Sequence, residues 1–271
     1  MSKPTILQQF RSFCYQNNAT NLEVALEYFA VFGGMGWRVD LTKPLDELIE
    51  EKVLKNYRYI HGDTTKITQS KEVHHKVLSA LATGDRREHS AFKKAQTTKE
   101  LGEESVDFMI KEGLLSKDIS VEKPLKDHDK VSIKLNFNQP FMRFWFAVIS
   151  PYYKGIKAGE YAEVKERWSQ MRGEFTNLIY QQLFMELVKK SYNESNEDKI
   201  MKMGSYWDTK VEIDLLAKTK SGKFIAGACK FSTELKKEKG ETLQLFSLKS
   251  LGHLLLDLSE KDLLVNTNKK Y

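Results

Sequence analysis

The chain has 271 residues, 41% hydrophobic and 30% charged, with only 5 prolines; this excludes global disorder and leaves ample length for a buried core. Its 43 Lys and Arg against 37 Asp and Glu give a formal charge of +6, and residues 218–239 alone hold seven lysines and two glutamates, the composition of a phosphate-binding surface or of an ordinary solvated face. Cys14 and Cys229 lie far apart with no metal-ligand spacing, the opening residues lack the apolar core of a secretion signal, and the most apolar run, residues 141–153, is short for a bilayer and contains Arg143, so a cytoplasmic protein without a membrane partner is expected.

Residues 1–69 read as a helical region. Leu7, Phe10, Phe13 and Cys14 recur at helical spacing, as do Leu22, Ala25, Leu26 and Phe29, and Gly33-Gly34-Met35-Gly36 breaks the second helix. This glycine cluster is not a phosphate-binding loop, because no Gly-Lys-Ser/Thr follows it and no strand precedes it; no nucleotide site is expected. A third helix is predicted over residues 45–59, with Pro44 near its first turn.

Residues 70–138 read as a winged helix: a helix marked by Val73, Val77, Leu78 and Leu81, a short one over 86–95, and a third opening at a Thr97-x-x-Glu100 capping box and stopping at Gly113. Two strands are predicted near 119–121 and 131–137. In a DNA reader the third helix lies in the major groove, yet from Thr98 to Glu112 it carries Lys99 and Lys111 against Glu100, Glu103, Glu104, Asp107 and Glu112, a net −3. Domain packing or a protein partner is therefore the favoured use of this region, ahead of sequence reading.

Residues 139–271 form the third region. Phe141-Met142-Arg143-Phe144-Trp145-Phe146 opens an aromatic helix that reads as core rather than as a base-stacking platform. A long helix is predicted over 174–190, with Glu174, Asn177 and Gln181 on a polar stripe, then a polar loop over 191–199. Strands are predicted around 201–207, 211–217 and 224–231, followed by a helix over 242–258 and a last strand near 262–266. Tyr206 and Trp207 read as cover for the core edge. In an extended chain alternate residues share a face, so Glu212 and Asp214 point one way, and so do Ala228 and Lys230. Paired strands would gather an acidic couple and a lysine at one sheet edge, the equipment of metal-assisted phosphodiester hydrolysis; the bland reading is an amphipathic hairpin with a solvated polar face.

Acid, strand, turn and then a lysine two residues beyond the position of a second acid resembles the PD-(D/E)XK nuclease superfamily, with its restriction-endonuclease-like fold. More widely, residues 27–57, residues 77–115, and the segments 141–151, 204–214 and 227–231 resemble the C-terminal part of a family of archaeal and bacterial ATPases, whose P-loop module is followed by a winged helix and a nuclease-like domain. No Walker A motif exists in this chain, and where the family pattern has Glu-Cys-Lys the chain has Ala228-Cys229-Lys230. The resemblance implies an α+β protein with a helical N-terminal region, a winged helix and a restriction-endonuclease-like mixed sheet flanked by helices. It makes Asp214 the central metal carboxylate, Lys230 the phosphate-facing lysine and Glu174 the acid on the preceding helix, with Glu212 able to supply a second Mg²⁺ carboxylate. Lys218, Lys220, Lys223, Lys236, Lys237 and Lys239 would meet DNA, expected to be duplex. Two functions stay open: weak Mg²⁺-dependent DNA cleavage, or a catalytically inactive DNA- or protein-binding module derived from an ATPase.

Overall fold

The computed structural model describes residues 4–121, 133–208 and 212–227. The architecture is mixed α+β, with helices in the majority and antiparallel strands in two small sheets. Among the described residues, contacts divide the chain into two units, one of residues 27–118 and 133–175, the other of residues 4–26, 119–121, 176–208 and 212–227.

The helices follow the apolar spacing, with instructive departures. α1 (Ile6–Gln16) opens on a capping box in which Thr5 Oγ accepts from the Gln8 N–H and the Gln8 side chain accepts from the Thr5 N–H. α2 (Leu22–Phe32) ends at the glycine cluster as expected. The single helix predicted over 45–59 is instead α3 (Leu45–Ile49) with a π-turn over Glu50–Leu54, then a separate α4 (Tyr57–Ile67). The Asn56 amide caps carbonyls of Glu51 and Lys52 and so closes the first helix before α4 starts. α5 (Glu72–Ala82), α6 (Glu88–Lys94) and α7 (Lys99–Lys111) follow in the expected order. The cap of α7 is Thr98, which accepts from the Leu101 N–H, rather than Thr97, whose own N–H completes the end of α6 on the Phe92 carbonyl. The strand predicted near 119–121 lies earlier, as β1 (Leu115–Asp118), antiparallel to β2 (Lys134–Phe137).

The aromatic run is core, as its composition demands. α8 (Pro140–Phe144) continues as a π-turn over Trp145–Ile149, and Phe141, Phe144, Trp145 and Phe146 are all fully buried. Phe144 meets Trp168 edge-on with ring centroids 5.3 Å apart, and Trp168 meets Phe175 the same way at 5.9 Å. After the short α9 (Tyr153–Ala158), α10 (Ala162–Ser195) begins twelve residues before the predicted Glu174 start and absorbs most of the predicted loop beyond Lys190. Gly173 sits within it: an internal glycine costs only about 1 kcal/mol, less than the continuous buried stripe of Val164, Trp168, Met171, Phe175, Ile179, Leu183 and Leu187 supplies.

Within that aromatic core lies one charge. Arg143 is 5% exposed; its guanidinium rests over the Phe175 ring at 4.0 Å and meets Glu174 Oε1 at 2.5 Å, while Nε and Nη1 are buried without a hydrogen-bond acceptor. Burial lowers its pKa to about 10, against the opposing pull of Glu174, with Arg86 adding to the lowering. Glu174 thus neutralises a buried cation. Three histidines of the same unit are depressed, chiefly by burial: His61, His74 and His75. His74 Nδ1 meets Ser105 Oγ at 2.7 Å and its ring stacks on Phe108 at 4.7 Å; His75 Nε2 meets Thr68 Oγ1 at 2.7 Å.

The other unit holds β3 (Ile200–Trp207), β4 (Glu212–Thr219) and β5 (Phe224–Gly227), antiparallel in that order. α1 belongs with this unit: Thr5 Oγ donates to Glu186 of α10 at 2.8 Å. Asn193 ties the end of α10 to β3 through the N–H and carbonyl of Ile200.

Two stability predictions follow from the buried groups. Removing the negative charge in Glu174→Gln strands the Arg143 guanidinium and should cost about 1–2 kcal/mol in denaturant unfolding, below the ~3–5 kcal/mol of a fully buried pair because the Glu174 side chain is 57% exposed. Unchanged stability would show that the pair is idle. For the histidines the folded pKa lies below the unfolded value of about 6.5, so the unfolded state binds more protons in the window beneath it. Their contribution is complete above about pH 7 and is lost as pH falls below ~6.5; Tm should drop as the solution is acidified through that point, and His74→Asn should flatten the drop. A slope that His74→Asn leaves intact would place the titration elsewhere.

Candidate functional site

The pleat of β4 sorts its side chains. Leu215, Ala217 and Thr219 are buried on one face, while Glu212, Asp214, Leu216 and Lys218 alternate onto the other, half-buried or exposed. Asp214 and Glu212 therefore share a face, as their spacing predicts. The ladder with β5 pairs Lys218 with Phe224 and Leu216 with Ala226, which carries both β5 residues to the acidic face; on the opposite side β3 pairs Lys202 with Lys218 and Gly204 with Leu216. One face thus runs from a basic, aromatic end at Lys202, Lys218 and Phe224 to an acidic end at Asp214 and Glu212. Lys218 and Asp214 are four residues apart along β4, about 13 Å at the rise of an antiparallel strand.

The turn joining β4 to β5 holds the basic end rigidly. Gly222 takes φ +91°, which L side chains rarely adopt, its N–H bonds to the Thr219 carbonyl at 3.0 Å, and the Lys223 N–H bonds to Thr219 Oγ1 at 3.2 Å. Asp198 accepts from both the Ser221 N–H and its hydroxyl, at 2.8 and 2.6 Å; the Ser221 hydroxyl bond, followed by that of Thr219, holds its carboxyl below the ordinary range. Lys220 and Lys223 sit in this turn, and the Lys218 ammonium lies 5.2 Å from the Phe224 ring centroid.

At the β3 side the sheet is closed by the chain before residue 122. The Val121 N–H bonds to the Ser205 carbonyl at 3.1 Å and Ser120 Oγ accepts from the Trp207 N–H at 3.0 Å. Val121 approaches so closely that a Cβ on Gly204 would meet its Cγ2 at 2.5 Å, so a larger residue there would push the Val121 side chain aside. Trp207 is fully buried, in keeping with its predicted place at the core edge, and the Tyr206 hydroxyl donates to Asp208 at 2.9 Å. Ser205 Oγ donates to the Asp214 carbonyl at 2.9 Å and pins the β4 backbone at that residue.

Of the residues predicted for a nuclease-like site, Asp214 and Glu212 are brought together by the pleat, and Lys218, Lys220 and Lys223 lie at the other end of the same hairpin. Glu174 belongs to the unit of residues 27–118 and 133–175, and its carboxylate is committed to Arg143. Ala228, Lys230, Lys236, Lys237 and Lys239, with the helix predicted over 242–258 and the strand near 262–266, lie outside the described residues. Among the described residues no group of three or more His, Cys, Asp or Glu side chains is placed to hold a metal ion. Mg²⁺ keeps several waters and is commonly held by one or two protein carboxylates; Asp214 and Glu212 are the two that β4 presents on one face. Sequence reasoning missed Phe224 and Lys202, whose place on the acidic face follows only from the strand register.

No helix among the described residues is long and apolar enough to cross a membrane. No curated protein and no solved structure matches the chain. Residues 145–243, which include α10, the β3–β5 sheet and the Ala228-Cys229-Lys230 segment, match the family model DUF234, described as archaeal and bacterial proteins of unknown function; over that stretch the chain is similar to that family.

Proposed function

We propose that the chain engages nucleic acid through the face of β4 that carries Glu212, Asp214 and Lys218, and that its PD-(D/E)XK-like metal site is depleted, so that binding outlasts cleavage. The observation that carries this reading is the common face of the two acids and the hairpin lysine, in a sheet whose following segment reads Ala228-Cys229-Lys230. The basic surplus of residues 218–239 supports it by electrostatics, which supply most of non-specific affinity for nucleic acid.

Asp214 and Glu212 would hold Mg²⁺, which when bound activates a water and neutralises charge building on a phosphate. Lys230 would face that phosphate. With Ala228 in place of an acid, and with Glu174 occupied by Arg143, few carboxylates remain to fix the ion, and natural cleavage is weak or absent. The predicted winged helix takes a second role. The exposed side of α7 carries Glu100, Glu103, Glu104 and Asp107, which repels phosphates, so residues 70–138 serve a protein partner rather than a DNA groove.

Plasmid nicking in Mg²⁺ or Mn²⁺ tests the site with three proteins: the natural chain, Ala228→Glu, and Ala228→Glu with Asp214→Asn. Weak or no nicking is expected from the first, a clear rise in the second, and loss in the third. Robust natural activity that persists undiminished in the Ala228→Glu, Asp214→Asn protein would place the chemistry elsewhere. Inactivity in all three, with retained DNA binding that weakens as salt rises, would identify an inactive binding module.

A further inference from the structure

We infer that the basic end of the sheet selects unpaired nucleotides, with Phe224 as a stacking platform and Lys218 as the phosphate contact beside it. This inference rests on the proposal that the β4 face engages nucleic acid, and it names the strand state of the ligand, single-stranded rather than duplex.

Phe224 is 53% exposed at the start of β5, and its ring stands on the same face as Lys218, its direct partner across the ladder. About half of this phenyl ring stays in water, so burial rewards it only in part. What it offers is a flat apolar surface beside a cation: the Lys218 ammonium lies 5.2 Å from its centroid, and Lys202 follows on β3 in the same cross-strand row. Sequence-tolerant recognition of single strands combines these two groups, an aromatic face for the base and ammonium groups for the phosphates on either side of it. A duplex cannot use the ring, since its bases are already stacked and paired.

The surroundings agree with this assignment. Lys220 and Lys223 extend the positive charge around a turn held by Gly222 and Asp198, so the lysines are presented from a fixed hairpin. Asp198 lies at this rim, where its carboxylate accepts from Ser221. Further along the same face Leu216 and Ala226 carry no charge and separate the basic end from Asp214. A strand whose base rests on Phe224 could therefore run along β4 toward the acidic couple.

The test uses the full chain and two fluorescein-labelled probes of about fifteen nucleotides, a thymidine oligonucleotide and a mixed-sequence duplex, which lies within the ~4–16-nucleotide site sizes of small single-strand binders. Fluorescence anisotropy should show tighter binding of the single strand. Phe224→Ala should weaken that binding about 5- to 100-fold, the range for loss of one base stack, with little change for duplex; Phe224→Trp should retain it. Lys218→Ala should weaken both probes and reduce the salt dependence. If Phe224→Ala leaves the single-strand affinity unchanged while Lys218→Ala lowers it, the surface is purely electrostatic; the strand inference falls and the proposed function stands. If Phe224→Trp fails like Phe224→Ala, stacking is not the ring's role and the inference falls again. If neither probe binds the natural chain, both the inference and the proposed function are overturned.

Discussion

Backbone pleating divides β4, and everything proposed about function depends on that division. Leu215, Ala217 and Thr219 are drawn inward because apolar area leaves water, which forces Glu212, Asp214, Leu216 and Lys218 to the opposite face. A slip of one residue in register would bury the two acids and expose the apolar side. The register is therefore fixed twice, by the buried residues of β4 and by the Gly222 turn with its Thr219 bonds. Acidic couple, neutral middle and basic aromatic end are consequences of one alternation.

In the other unit a different constraint rules. An aromatic core built from Phe144, Trp145, Trp168 and Phe175 has been closed around a guanidinium. Desolvating Arg143 is costly, and the Phe175 ring and the Glu174 carboxylate only partly offset it, since Nε and Nη1 find no acceptor. The consequence for function is direct. A carboxylate that looks available for metal in the sequence already serves a cation across thirty-one residues of chain.

Much of this was legible without coordinates. The two-residue period of β4, the Ser-Gly turn after it and the fully apolar run around Trp145 are local patterns, and each maps onto the element it predicts. What stayed hidden depends on contacts distant in sequence. Helix α10 runs through Gly173 because buried residues before and after it share one stripe, which outweighs the local cost of glycine. The stop before α4, where the Asn56 amide takes up carbonyls of Glu51 and Lys52, and the N-cap at Thr98, whose hydroxyl accepts the Leu101 N–H, depend on which backbone groups the helix ends leave unpaired. The attachment of α1 to the far end of the chain through Thr5 and Glu186 has no local signature. Phe224 and Lys202 joined the candidate surface only through the ladder.

On the proposed function, the β4 face carrying Glu212 and Asp214 is where a divalent ion and its phosphate ligand meet the protein. Paramagnetic broadening by Mn²⁺, read on backbone amides in a two-dimensional NMR spectrum of the intact chain, tests this without requiring turnover. The account predicts that sub-stoichiometric Mn²⁺ broadens amides centred on Glu212–Asp214 and their β3 neighbours, and that Asp214→Asn removes the effect. Broadening centred instead on the acidic exposed side of α7, or an Asp214→Asn spectrum broadened like the natural one, would contradict it.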